Sequence, residues 1–249
     1  MVKPDFSDAE AKLDRARNHI ADVKARIRSF LSTDFYRLRL KSDERVGRVK
    51  IAFDSLHQLD KSTDTLVGDA VGNLRSTLDY ITVALARPIT GKTDGTGFPF
   101  ADDANGFAGA VRSPRCLGPC DIAIQDLFIK KIQAYEGGNG HSLWVLNKLR
   151  NIDKHRLLLA SLKIAGVTAS WRTRDGGIFT NCGIGVDAGE SGTFLDMPMD
   201  YIEFTDQPRP LFEVTLTESP YVYDAPVAAL LDSFACNVQS VLNSAKIGI

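Results

Sequence analysis

The spacing of apolar and polar positions changes several times along the chain, and each change predicts a different element. From Ser7 onward, Ala11, Leu13, Ala16, Ile20, Val23, Ile27, Phe30 and Leu31 recur at three- and four-residue intervals. That period predicts an amphipathic helix over about 7–31. Ser7, with Glu10 three positions later, reads as a capping box at its start. The period then drops to two. Phe35-Tyr36-Arg37-Leu38-Arg39-Leu40 and Gly47-Arg48-Val49-Lys50-Ile51-Ala52-Phe53 alternate apolar with charged residues around the polar link Lys41-Ser42-Asp43-Glu44. A β-hairpin at about 35–53 follows. A second helix is predicted over about 62–87 from Leu66, Val67, Val71, Leu74, Leu78, Ile81 and Leu85, stopping near Pro88.

Residues 88–120 are rich in glycine and proline and read as one long irregular stretch, of a length usually kept for covering a site or carrying short elements. Helical spacing resumes near Asp121 and is interrupted by Gly137-Gly138-Asn139-Gly140. It continues from Ser142 to about Ile164. From Val167 the character is β, with strands at 168–171, 177–180 and 211–216, and after Pro226 it is helical again. The expected fold class is therefore α+β. The chain, 1–249, reads as a single domain: a mainly α-helical bundle of segments 7–31, 62–87, 121–164 and 225–246, with an N-terminal β-hairpin and a β-rich insertion at about 167–218 before the C-terminal helix.

Composition narrows the class without naming a function. The chain is 44% hydrophobic and 24% charged, ordinary for a globular protein. Its first residues lack a signal-peptide apolar stretch, and no run approaches the roughly 20 apolar residues of a membrane span. A cytoplasmic protein without membrane contact is expected. The net charge of −1 conceals an asymmetry: residues 1–50 balance to +5, and residues 187–224 to −8. Both regions read as solvated faces, or as a basic arm for nucleic acid and an acidic face for a basic partner. The cysteines Cys116, Cys120, Cys182 and Cys236 are too scattered for a disulfide scaffold. Cys116 and Cys120 lack the second ligand pair of a structural zinc site, so no metal or other cofactor is expected and reduced thiols are the reading.

The candidate chemistry lies in Arg150-Asn151-Ile152-Asp153-Lys154-His155. A guanidinium holds phosphate oxygens in a fork, and an imidazole moves protons near neutral pH. Lys148, Lys154 and Arg156 make the neighbourhood positive, suiting an RNA backbone, with Asp153 opposing. On a helix Val145, Leu149, Ile152 and Leu159 form an apolar stripe. Asn151 and His155, four apart, share one face near it, which places His155 at a packed or interfacial surface. Arg150 leaves the helix about 140° from His155.

The Arg-polar-x-x-x-His spacing resembles the signature of the HEPN superfamily, helical-bundle proteins that include metal-independent ribonucleases, some of them toxins or phage-defence proteins. The resemblance covers the helical portion, about 55–165 plus the C-terminal helix, and its specific part is residues 150–155; the β-rich insertion departs from the minimal helical family. It implies a homodimer in which paired motif helices line a cleft and RNA is cut to a 2′,3′-cyclic phosphate. In that mechanism Arg150, Asn151 and His155 are catalytic, Lys148, Lys154 and Arg156 hold the RNA, and a protein partner or antitoxin controls the enzyme. The competing reading makes the segment a structural polar cluster in a catalytically silent interaction module. There Asn151 and His155 are buried against groups such as Asp79 or Asn73, and Arg150 sits in a salt bridge. Gly137–Gly140 has two readings as well, an anion nest before a helix or a plain interhelical turn. Trp171 and the phenylalanines read as packing residues.

Overall fold

A 29-residue helix in the first half of the chain organises the helical part of the molecule. In the computed structural model, which describes residues 3–43, 48–55, 57–91, 94–185, 193–198, 202–216, 219–222 and 225–248, this helix is α2, Ser62–Thr90. Val67, Val71, Leu74, Leu78, Ile81 and Leu85 are all but fully buried along it. The helix runs through Pro88, beyond the expected stop. Proline in the last turn forgoes one backbone bond, and Gly91 then ends the helix in the left-handed conformation with its N–H on Arg87 O.

The contacts divide the chain into two compact units, where the apolar spacing reads as one domain. The helical unit comprises residues 1–25, 61–159 and 216–249. It holds most of α1 (Ser7–Leu31), α2, α3 (Ala104–Val111), α4 (Ile122–Leu127), α5 (His141–Asp153) and α6 (Val227–Ile247). Helix α6 buries Leu231, Phe234, Val238 and Leu242, and α5 buries Leu143, Leu146 and Leu149. Both pack on α2 and on each other. Helix α1 is tied to α6 by Lys24–Asp232 at 2.5 Å, by Arg17 on Gln239 and by Lys246 on Glu10. Glu10 therefore does not close a capping box on Ser7. The Ser7 N–H is instead satisfied by the Asp5 carboxylate at 2.9 Å.

Helix α3 lies inside the stretch expected to be irregular. Asp103 caps it, accepting from the Gly106 N–H at 2.8 Å, and buried Phe107 and Val111 anchor it. Helix α4 continues into a π-helical turn, Phe128–Ile132, that ends at Gln133 with φ 51°.

The largest departure from the sequence reading is at the motif helix. α5 stops at Asp153, and the segment expected to be helical as far as Ile164 becomes strand β3, Ala160–Thr173. Leu157-Leu158-Leu159-Ala160 suits either period, so local spacing leaves the state open and pairing with distant strands decides it.

The β unit comprises residues 26–60 and 160–215. Strands β1 (Tyr36–Asp43) and β2 (Arg48–Ser55) form the expected antiparallel hairpin, and β5 (Thr193–Pro198) pairs with β2 as a third strand. A second sheet has the order β4 (Ile178–Gly185), β3, β6 (Ile202–Phe204), with β7 (Arg209–Leu216) also on β3. Phe35, 1% exposed, packs between Phe30 and Phe212, with ring centres 4.7 and 4.8 Å away. Glu44 of the hairpin link and Asp187, Glu190, Asp200, Glu218 and Asp224 of the acidic stretch lie outside the described residues. Among the described residues no helix is long and apolar enough to cross a membrane.

Candidate functional site

Arg150 to His155 spans the last turn of α5 and the two residues beyond it, and that last turn packs on α2. A Cβ added at Gly72 would sit 3.5 Å from Arg150 Nε. One added at Gly68 would fall 3.0 Å from Asp153 Cγ and closer still to its Oδ1. Gly68 and Gly72 are one turn apart on α2, as Arg150 and Asp153 nearly are on α5, so the two helices run antiparallel here and the glycines form a notch for the two side chains. Within it Arg150 Nη1 donates to Asp153 Oδ2 at 3.0 Å. The Asp153 side chain is 13% exposed and that of Arg150 31%. Burial raises the Asp153 carboxyl above its ordinary range; Asp69 adds to the rise and Arg150 opposes it. One guanidinium N–H is thus committed to Asp153, and the group as a whole keeps a face toward solvent.

Beyond Asp153 the backbone keeps winding: the N–H groups of His155 and Arg156 both reach Ile152 O, at 2.9 and 3.0 Å. Asn151, Lys154, His155 and Arg156 are all exposed. The packed position expected for His155 from the apolar stripe is therefore not found in the single chain, because the helix that would have carried the stripe to Leu159 has ended. Asp79 and Asn73, the expected partners in the structural reading, are engaged elsewhere. Asp79 Oδ1 accepts from Phe98 N at 2.8 Å, and Asn73 donates to Asp69 O at 2.8 Å. The salt bridge expected for Arg150 in that reading is present, with Asp153 as the acid.

Lys148 is placed differently from Lys154 and Arg156. Its Nζ lies 2.8 Å from Asp102 Oδ1 and 4.9 Å from the Trp144 ring centre. The hydrogen bond to Asp102 raises the lysine pKa. Asp102 also accepts from Trp144 Nε1 at 2.9 Å, and Tyr221 meets Trp144 edge-on at 5.3 Å. One turn away Arg75 donates from Nε to Asn147 at 2.8 Å and lies 4.5 Å from the Phe100 ring centre. Its Nη1 is 2.5 Å from Asp79 Oδ2, an ion contact without hydrogen-bond alignment. These two clusters bind the 98–103 loop to α2 and α5.

The glycine-rich link before α5 is a turn whose donors are spent. The N–H groups of Gly137, Gly138, Asn139, Gly140 and His141 donate in order to His141 Nδ1, Tyr135 O, Gln133 Oε1, Gln133 O and Gly138 O. None of the five is left to form an anion nest. Cys116 and Cys120 are both buried, and burial pushes their thiols up to about 12 and about 11. They stay protonated at neutral pH. Among the described residues no three His, Cys, Asp or Glu side chains are grouped to hold a metal ion.

Sequence reasoning missed the part played by Gly68, Gly72 and Asp153. The available signal was two glycines one turn apart in the middle of a strong helical pattern, where each costs about 1 kcal/mol against alanine. Comparison with known proteins adds nothing to this geometry: no family model, no curated protein and no solved structure matches the chain.

Proposed function

We propose that the chain is a metal-independent endoribonuclease of HEPN type, acting as a homodimer and leaving a 2′,3′-cyclic phosphate. The observation that carries this reading is the exposure of Asn151 in the last turn of α5 and of His155 just beyond it, with Arg150 of the same segment held by Asp153 and still partly open to solvent. In the proposed reaction His155 takes the proton of the ribose 2′-hydroxyl as that oxygen attacks phosphorus. The 5′-oxygen leaves and is protonated by the partner copy's imidazole or by water. Arg150 stabilises the extra charge on the pentacoordinate phosphorus, and Asn151 orients a phosphate oxygen. Lys154 and Arg156 attract the RNA backbone; Lys148 joins them only by leaving Asp102. Leu157 and Leu159, 46% and 37% exposed directly after His155, offer apolar surface to a second copy.

A second reading has an observation of its own. The Arg150–Asp153 pair seated on Gly68 and Gly72 favours a structural role for the arginine, in a catalytically silent interaction module. One experiment separates the two. The purified protein is incubated with RNA in excess EDTA beside His155→Ala and Arg150→Ala, with folding checked by circular dichroism and product ends mapped. Cleavage to cyclic-phosphate ends, lost in both folded variants, is the expected result. Intact RNA across a broad substrate panel would refute the ribonuclease reading.

A further inference from the structure

The start of α5 borders a cavity of about 250 Å³ that opens to solvent within the helical unit. Its walls come from the π-helical turn, the glycine-rich link, the first residues of α5 and the second half of α6. Ile132, Leu143 and Val241, all buried, form an apolar floor, and Lys131, Asn139 and Ser240 stand exposed at the rim. Asn237 and Ser244 are half-buried.

Local backbone geometry builds this rim. In the π turn Gln133 N reaches back five residues to Phe128 O at 3.0 Å, so Lys131 and Ile132 leave the α-helical register. Such turns recur at functional sites. The link then folds back on the turn: Gly140 N donates to Gln133 O at 3.1 Å, and Asn139 Nδ2 to Lys131 O at 3.4 Å. A Cβ at Gly140 would collide with Ile132 O, so only glycine allows this approach. Asn139 is thereby set beside Lys131. A backbone fixed in advance loses little freedom when a ligand binds.

The chemistry of the lining selects the occupant. Lys131 carries the one charge among the nine lining residues. Its neighbour Lys130 is paired with Asp126 at 2.7 Å, whereas no acid among the described residues pairs with Lys131. An anionic group on the ligand supplies the missing counter-charge. Asn139 and Asn237 both spend Nδ2 on backbone carbonyls, Lys131 O and Ser233 O, which fixes their amide orientation and leaves each Oδ1 as an acceptor. The Ser240 and Ser244 hydroxyls bond no group among the described residues. Two free carbonyl oxygens need donors and repel a bare inorganic anion. Sugar hydroxyls satisfy acceptors and hydroxyls alike, and the C–H face of a sugar ring suits the apolar floor. None of the lining residues is aromatic, so nothing stacks a base, and the volume falls below the roughly 300–1,000 Å³ of sites for drug-sized ligands. We propose that this cavity binds a monosaccharide carrying one anionic group, with the anion on Lys131 and the ring hydroxyls on Ser240, Ser244, Asn139 and Asn237. The site lies at the opposite end of α5 from Arg150 and His155, and it holds whether or not RNA is cut.

The test is isothermal titration calorimetry of the full chain with the 6-phosphates of glucose, galactose and mannose, the corresponding hexuronates, the neutral hexoses and inorganic phosphate. The two anionic series distinguish a phosphoryl group from a carboxylate, and the tighter series names the source. At least one anionic hexose is expected to bind on the order of tenfold more tightly than both its neutral hexose and inorganic phosphate. Lys131→Gln, at an exposed position with no ion pair to lose, should lower that affinity on the order of tenfold and leave the neutral hexose unchanged. Ser244→Ala should weaken anionic and neutral sugars alike by about fivefold. Lys130→Gln removes a like charge one position away and should bind like wild type, which separates a seated anion from general attraction. Circular dichroism checks that each variant is folded. The proposal would be overturned by no saturable binding of any anionic hexose, by equal affinity for inorganic phosphate and the best anionic hexose, or by full affinity in folded Lys131→Gln.

Discussion

Alanine at Gly68 and at Gly72 should change stability in opposite directions, although the two glycines lie one turn apart on the same helix. Replacing a mid-helix glycine by alanine gains about 1 kcal/mol of helix propensity at either position. At Gly72 the new methyl meets Arg150 Nε at 3.5 Å, ordinary van der Waals contact, so the gain survives. At Gly68 the methyl lies 3.0 Å from Asp153 Cγ, 3.2 Å from Oδ2 and nearer still to Oδ1. Turning the carboxyl about its own axis leaves Cγ where it is, so the side chain must swing out or α5 must shift. Overpacking of this kind costs about 1–3 kcal/mol, and loss of the half-buried hydrogen bond from Arg150 adds about 1 kcal/mol. The net is a destabilisation of roughly 1–3 kcal/mol for Gly68→Ala, against a stabilisation of about 0.5–1 kcal/mol for Gly72→Ala. For a chain of this size each kcal/mol moves Tm by about 2–4 °C, so the two variants should melt several degrees apart. Urea unfolding followed by helical circular dichroism measures both. Two variants stabilised alike would show that Asp153 does not occupy the Gly68 notch, and the account of how Arg150 is held would fail.

Two further outcomes follow from titratable groups. With both thiols raised by burial, Cys116 and Cys120 should not react with a thiol reagent in the native protein near pH 8, whereas exposed Cys236 should. All four should react after denaturation; fast native labelling of Cys116 would contradict its burial. Because the folded thiols hold their protons more tightly than the unfolded ones, stability should fall as pH rises from about 9 toward the folded values of about 11 and about 12. Asp206 behaves oppositely: its bonds from Ser170 N and Oγ hold its carboxyl below the ordinary value of 3.8. Its stabilisation is present above that value and is lost as pH falls through the lower folded pKa. Asp206→Ala should remove that acid-dependent loss from the β unit, which hydrogen exchange at the Ser170 amide would register; an unchanged acid profile would mean the β3–β4 bulge at Ser170 is held by something else.

The apolar spacing alone was enough to determine α1, α2 and α6 and the β1–β2 hairpin, because in each the period repeats for long enough to outweigh local alternatives. The residue types in Arg150-Asn151-Ile152-Asp153-Lys154-His155, and the family signature they resemble, singled out Arg150, Asn151 and His155 as the group worth testing. The apolar spacing did not determine where α5 ends, since Leu157-Leu158-Leu159-Ala160 fits a helix or a strand equally well; pairing of β3 with β4, β6 and β7 settled that. Helix α3 was hidden because its eight residues depend on the Asp103 cap and on burial of Phe107 and Val111, contacts a short window does not contain. What only the tertiary structure decided is which side chains meet. Gly68 and Asp153 are separated by more than eighty positions, and the notch exists because α2 and α5 cross there. Trp171 and Phe179 read singly as packing residues; the β3–β4 hairpin and its bulge stack their rings at the surface. Spacing along a chain encodes the face that each element buries, and the neighbour that face acquires depends on long-range packing, which no local period records.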